Sequence, residues 1–271
     1  MNAVTPHPAL LDAVLRIAIE AGEAIMQVYR GAFSITRKED DSPLTEADMA
    51  AHRSIVAGLS ALTPGLPILT EEGEVPDFAT RQGWRQYWLV DPLDGTREFI
   101  KRNGEFTVNI ALIDGYEAVL GVVHAPALAV SYAAARGLGA WKWQDEKPPV
   151  RITARPLPCE GALRIAGSRS HSNARMADFL ARVGPHELIS MGSALKSCLV
   201  AEGVADLYPR LGPTSEWDTA AAQCVVEEAG GQFTDTAMQR LRYNTKDSLL
   251  NPEFFVFGRH SRCWAEILPA L

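Results

Sequence analysis

One stretch constrains this chain more than any other: Trp88-Leu89-Val90-Asp91-Pro92-Leu93-Asp94-Gly95-Thr96. An apolar run stops at an acid, a proline follows, and a second acid comes two residues later. The run from Trp88 to Val90 has the length and composition of a buried strand. Pro92 cannot donate to a sheet ladder, so the strand is expected to stop at Asp91 and turn. The chain then carries two carboxylates to one strand end. Gly95 and Thr96 come next, and their backbone amides can approach an anion closely.

The remaining pattern builds layers around that corner. Leu11, Val14, Leu15, Ala18, Ala21, Ile25 and Val28 recur at helical spacing, which predicts an amphipathic helix over 8–30. Residues 34–45 are charged and contain Pro43, so they read as an exposed, mobile loop, either a solvated connector or a lid. Thr45 is a helix N-cap, with Asp48 at the capping-box position of a helix reaching about Leu62. A short strand over 66–70 then ends in Glu71-Glu72. Runs at 106–113, 119–124 and 129–134, separated by turn signals, predict an antiparallel meander that ends near 141–149.

Beyond Lys147-Pro148-Pro149 the pattern changes. Strands at 164–166, 188–190, 205–208 and 254–257 alternate with helices at 172–183, 193–202, 217–229 and 259–268. That alternation predicts a sheet flanked by helices. The expected organisation is an N-terminal α+β half, residues 1–155, and a C-terminal α/β half, residues 156–271.

Composition narrows the function. The 271 residues carry a formal charge of −7, with no basic block that could neutralise a nucleic-acid backbone. A small phosphorylated ligand needs only a local site and stays open. The first residues lack the basic and apolar regions of a secretory signal, and no apolar stretch is long enough to span a bilayer. Cys159, Cys198, Cys224 and Cys263 are scattered without metal-binding spacing, which points to reduced thiols in a cytoplasmic protein. Attachment to the inner face of the cell membrane, and assembly as a homodimer, are left open.

Three element ends carry acids: Glu71-Glu72, Asp91 with Asp94, and Asp218 in Trp217-Asp218-Thr219-Ala220-Ala221. Singly, each has an ordinary explanation: a solvated loop, a turn, a charge at a helix N-terminus. Gathered in one place they would repel, and most would be forced to protonate unless cations intervened. A hard divalent ion such as Mg²⁺ suits an all-oxygen set, to which the Leu93 carbonyl can add. No histidine or cysteine stands among them, which argues against zinc. Metal ions beside phosphate-facing amides imply metal-assisted phosphoryl transfer to water, with Thr96 and Asp48 placed to orient that water and take its proton.

These residues resemble the inositol monophosphatase superfamily. Asp91-Pro92-Leu93-Asp94-Gly95-Thr96 is similar to its D-P-[IL]-D-G-T signature, and Trp217 to Ala221 to its W-D-x-A-A signature. Glu71-Glu72 and Thr45-x-x-Asp48 match its paired acids and helix start, in the same order. Within the superfamily, the stretches Asp91 to Ile113, Ser168 to His171, Ser193 to Gly203 and Tyr208 to Thr214 resemble the bisphosphate nucleotidases. The resemblance implies a layered αβαβα sandwich and Mg²⁺-dependent removal of the 3′-phosphate from adenosine 3′,5′-bisphosphate, with inhibition by Li⁺. It implies two or three Mg²⁺ ions, held by Glu71, Asp91, the Leu93 carbonyl, Asp94 and Asp218, with Glu72 behind them. It places Asp48, Thr96 and Glu71 in catalysis. Glu71, Leu93, Asp94, Gly95, Thr96 and Asp218 would meet the substrate at the scissile phosphate.

The second phosphate and ribose are assigned to Ser168, Arg169, His171, Gly192, Ser193, Lys196 and Arg210, whose cationic and hydroxyl groups suit them. Where the nucleotidases carry paired serines after the glycine, this chain has Ser193-Ala194, one hydroxyl fewer. The alternative activity is hydrolysis of inositol monophosphate or a related sugar phosphate. A non-catalytic phosphate-binding protein is a third reading. It is disfavoured because a dead scaffold has no physical need to hold mutually repelling charges.

Overall fold

The computed structural model describes residues 3–31, 35–37, 43–145, 147–157, 161–168, 174–259 and 264–268. The first helix, α1 (Pro8–Arg30), forms as its periodicity predicts, with Pro8 in the first turn and His7 accepting from the Leu10 amide. It buries Val14, Ala18, Ala21 and Ile25 against the sheet beneath it. Helix α2 (Glu46–Leu62) lies beside it. Gly58 permits the close approach, since a Cβ there would stand 2.9 Å from Ile17 Cγ1.

Residues 34–45 are not a plain loop. Strand β1 (Ile35–Arg37) pairs antiparallel with β2 (Pro43–Thr45); the segment 38–42 between them lies outside the described residues. Strand β3 (Ile68–Thr70) follows, then a one-turn helix α3 (Phe78–Arg81) that sequence reading missed.

The opening stretch departs from expectation in an informative way. Strand β4 (Gln86–Asp94) does not stop at Asp91 but runs through Pro92 to Asp94, with its register against β5 (Thr107–Asp114) shifted between Asp91 and Asp94. Pro92 is tolerated because it falls inside that irregularity, where a missing N–H breaks no ladder bond. Helix α4 (Thr96–Ile100), also unpredicted, begins directly after Gly95. The meander continues through β6 (Glu117–Ala125) and β7 (Val130–Ala135). It does not end at 141–149: β8 (Gly139–Gln144) and β9 (Val150–Ile152) extend it, giving a seven-stranded sheet in the order β3-β4-β5-β6-β7-β8-β9. Only β3 joins β4 in parallel.

The second half contains β10 (Leu163–Gly167), α5 (Ala174–Val183), β11 (His186–Ser190), α6 (Leu195–Ala201), β12 (Leu207–Arg210), α7 (Glu216–Glu228), β13 (Gln232–Asp235) and β14 (Phe254–Phe257). They build a mixed five-stranded sheet ordered β11-β10-β12-β14-β13. Strand β13 was missed; of the segment 259–268 expected to end as a helix, residues 260–263 lie outside the described residues and Trp264–Ile267 form a 3₁₀ turn.

Alternation along the strands sorts side chains into layers. Trp88, Val90, Val108 and Ile110 face α1 and α2, while Tyr87, Leu89, Ala111 and Val123 face α6 and α7. The second sheet closes over α6 and α7 with Tyr208, Phe233, Phe254 and Val256. Its far face packs Leu207, Phe255 and Phe257 on Phe179 and Trp264. The result is the αβαβα sandwich. At Gly121 the α7 backbone comes against β6 so closely that a Cβ there would lie 2.2 Å from the Ala221 carbonyl oxygen. Gly121→Ala is therefore expected to cost about 1–3 kcal/mol of stability, read as a lowered urea midpoint at unchanged slope.

Candidate active site

Three local devices deliver the acids of the site: a strand irregularity, a strand end and two helix starts. The β4 irregularity carries Asp91 and Asp94, and the Asp91 carboxylate accepts the Leu93 amide at 3.0 Å, which fixes the turn of the chain. Glu71 follows the end of β3, held there by its amide donating to the Val90 carbonyl at 3.2 Å. Asp218 and Asp48 both occupy the third position of a helix. One oxygen of Asp48 accepts the Thr45 amide at 2.7 Å and hydroxyl at 2.6 Å; the other faces the Thr96 hydroxyl at 3.4 Å. One oxygen of Asp218 accepts the Ser215 amide at 2.9 Å.

The N-terminus of α7 has its own brace, which sequence reading missed. Buried Arg81 donates to Asn244 Oδ1 at 2.6 Å, and the Asn244 amide donates to the Glu216 carboxylate at 2.8 Å. Asn251 adds a bond from its side-chain amide to the Ser215 carbonyl at 2.7 Å. Two asparagines and one arginine distant in sequence thus fix the turn that presents Asp218. No spacing rule marks them.

The acids converge. Carboxylate oxygens of Glu71, Asp91 and Asp218 lie within 4.8 Å of one another. Asp91 is 1% exposed, and burial, then Glu71, Asp94 and Asp218, hold its pKa well above the ordinary aspartate value. Asp94 and Asp218 open partly onto a cleft of about 310 Å³. Burial and neighbouring acids raise Asp94 to about 6, against Lys196 and the Ala194 amide. Burial and Asp94 raise Asp218 to about 8. All-oxygen donors in this state fit a hard divalent cation, whose charge would let them ionise together.

The cleft also gathers Gly95, Thr96, Ser168, Gly192, Ser193, Lys196 and Arg210 from the predicted set. Gly95 has φ +93°, and a Cβ would press on the Glu105 carbonyl at 3.2 Å, so glycine is needed there. Gly192 is needed for space alone, since a Cβ would meet that same oxygen at 2.6 Å. Ser193 sits in the left-handed region at φ +46°, and the Lys196 ammonium holds its carbonyl at 2.6 Å. Burial lowers Lys196 to about 8, opposed chiefly by Asp94. Arg210 is anchored by a bond to the Pro213 carbonyl at 2.8 Å.

Arg169 and His171 lie outside the described residues. Glu72 is half-buried in the turn after β3 and does not line the cleft. Arg97, Glu98, Tyr208, Thr214 and Phe254 do line it, and residue type alone did not single them out.

The family pattern described as "Inositol monophosphatase family" matches residues 9–264. The chain belongs to the inositol monophosphatase family. It is 51% identical over 252 residues to the 3′(2′),5′-bisphosphate nucleotidase CysQ of Salmonella typhimurium strain LT2, covering 91% of this chain and 99% of that protein. The crystal structure of CysQ from Bacteroides thetaiotaomicron superposes with a TM-score of 0.82 at 41% identity, covering 93% of this chain and 98% of the other. The extragenic suppressor protein suhB from Bartonella henselae superposes with a TM-score of 0.77 at 25% identity, covering 96% and 97%. Among the described residues, no helix is long and apolar enough to cross a membrane.

The raised carboxylates make a prediction for the metal-free protein. Between about pH 4 and 8 the folded state retains protons that an unfolded aspartate, near 3.8, has released. Fewer bound protons in the unfolded state mean that stability falls as pH rises through this window. Asp218→Asn removes part of that slope. Its melting temperature should gain on wild type as pH rises, and saturating Mg²⁺ should restore the wild type; parallel melting curves would contradict the assignment.

Proposed function

We propose that this chain is a Mg²⁺-dependent phosphomonoester hydrolase that removes the 3′-phosphate of adenosine 3′,5′-bisphosphate, giving AMP and phosphate. Its place is the cytoplasm, in sulfur assimilation and nucleotide recycling. The observation that carries the reading is the joining, in one cleft, of an acid corner to a cationic wall of Lys196 and Arg210. A monophosphate needs only the first; a bisphosphate uses both. The similarity to proteins named 3′(2′),5′-bisphosphate nucleotidase supports the same substrate.

In this reading Glu71, Asp91, the Leu93 carbonyl, Asp94 and Asp218 would hold two or three Mg²⁺ ions, which when bound would supply positive charge to neutralise the acids and polarise the scissile phosphate. The chain's own groups do the rest. The Gly95 and Thr96 amides hold the phosphate oxygens. The Thr96 hydroxyl, 3.4 Å from Asp48 Oδ1, orients the attacking water and passes a proton toward Asp48. Ser168, Gly192, Ser193, Lys196 and Arg210 receive the ribose and second phosphate, with Arg169 and His171 assigned there by resemblance. Residues 1–155 thus supply the reaction corner, and 156–271 supply Asp218 and the substrate wall.

A substrate comparison tests the reading. Purified enzyme with Mg²⁺ should turn over adenosine 3′,5′-bisphosphate with a kcat/KM at least about tenfold above inositol monophosphate, and Li⁺ should inhibit it. Preference for inositol monophosphate would overturn the assignment. Asp94→Asn should lower kcat by roughly a thousandfold at limiting Mg²⁺ with the fold intact. Arg210→Ala should raise KM by about tenfold for a bisphosphate but not for a monophosphate; equal effects would remove Arg210 from the second-phosphate site.

A further inference from the structure

Strand β5 runs under the acid corner carrying two polar side chains that have no hydrogen-bond partner among the described residues. Asn109 is 1% exposed, and neither its amide oxygen nor its amide nitrogen has a hydrogen-bond partner. Thr107 is fully buried, and its hydroxyl is also unpartnered. Their place in the ladder is specific. Asn109 pairs with Asp91, and Thr107 pairs with Asp94. Residues paired across an antiparallel ladder share a face of the sheet.

That face is the one covered by α7. Ala111 and Ile113, two and four residues beyond Asn109, belong to the core that includes Ala221 and Val225, whereas Val108 and Ile110 face α1 and α2. Gly121 pairs with Ala111 and touches the Ala221 backbone, and Asp218 lies one helical turn before Ala221. Asn109 and Thr107 therefore continue the α7-facing row toward the strand end, into the floor beneath the carboxylates.

A buried amide and a buried hydroxyl without partners oppose folding, and apolar side chains of the same size would fill the space without that penalty. Both stand opposite an acid of the site. We propose that Asn109 and Thr107 are positioning residues for the metal-holding acids. Their hydrogen bonds are completed when the corner is loaded, and they then orient the carboxylates of Asp91 and Asp94. Groups behind metal ligands act in this way, and losing one lowers metal affinity about 10–100-fold. The inference rests on the metal reading of the corner.

The test uses near-isosteric apolar replacements, Asn109→Leu and Thr107→Val, with Thr107→Ser as the conservative control. Mn²⁺ binding to the metal-free proteins is measured by calorimetry, beside their metal-free melting temperatures. Both apolar variants should melt at or above the wild-type temperature yet bind Mn²⁺ at least about tenfold more weakly, and Thr107→Ser should bind as wild type does. If Asn109→Leu fails to fold, Thr107→Val against Thr107→Ser decides. Unchanged Mn²⁺ affinity in the apolar variants, or equal losses in Thr107→Val and Thr107→Ser, would overturn the inference while leaving the metal reading in place. A wild type that binds no Mn²⁺ would overturn both.

Discussion

Carboxylates held together away from water repel one another, and the structure is arranged around that repulsion. Burial and mutual charge push Asp91 and Asp218 far from their ordinary behaviour. A flexible chain would relieve the strain by moving the acids apart. Here it cannot, because Asp91 and Asp94 sit on a strand paired on both sides, Glu71 is tied to that strand, and Asp218 is fixed by a brace of buried polar groups. The layers on either side of the first sheet supply the rigidity. The contact of Gly121 with Ala221 sets the depth at which α7 presents its acid.

A carboxylate has two oxygens, and this fold gives them separate duties. Asp48 spends one oxygen on the Thr45 amide and hydroxyl and turns the other to Thr96. Asp218 accepts the Ser215 amide in the same way. The helix-capping and chemical explanations of these acids are therefore not rivals. The capping bond locks the side chain in one rotamer, and that preorganisation aims the second oxygen.

What was legible in the sequence follows from how local its physics is. Helix α1, the second helix start at Thr45 and the meander as far as β7 rest on periodicity and turn chemistry within a few residues, and they appear as read. The strand through Pro92 was misread because a proline usually ends a ladder, and only pairing with β5 shows that it falls at an irregularity. Strands β8 and β9 were missed because their partners, not their own pattern, define them. The acids of the corner were visible because their residue types are few and their chemistry is specific. The Arg81–Asn244–Glu216 brace was not, since its members are about 28 to 163 positions apart and individually ordinary.

The charge of the cleft orders events within it. Among the described residues, four acids and three bases line the walls, and Asp91 lies beneath as a fifth acid. In the metal-free corner burial and mutual repulsion keep protons on Asp91 and Asp218, so the corner offers a dianionic phosphate little attraction of its own, while Lys196 and Arg210 stand on the opposite wall. On the metal reading, divalent cations would displace those protons and make the corner attractive to phosphate, leaving the cationic wall as it is. On that reading metal and substrate are coupled: each raises the affinity of the other by the same factor, because the free energy of the shared complex is one quantity. On the proposed reading, the wall assigned to the second phosphate works beside a corner already loaded, so reaction and specificity depend on the same charges.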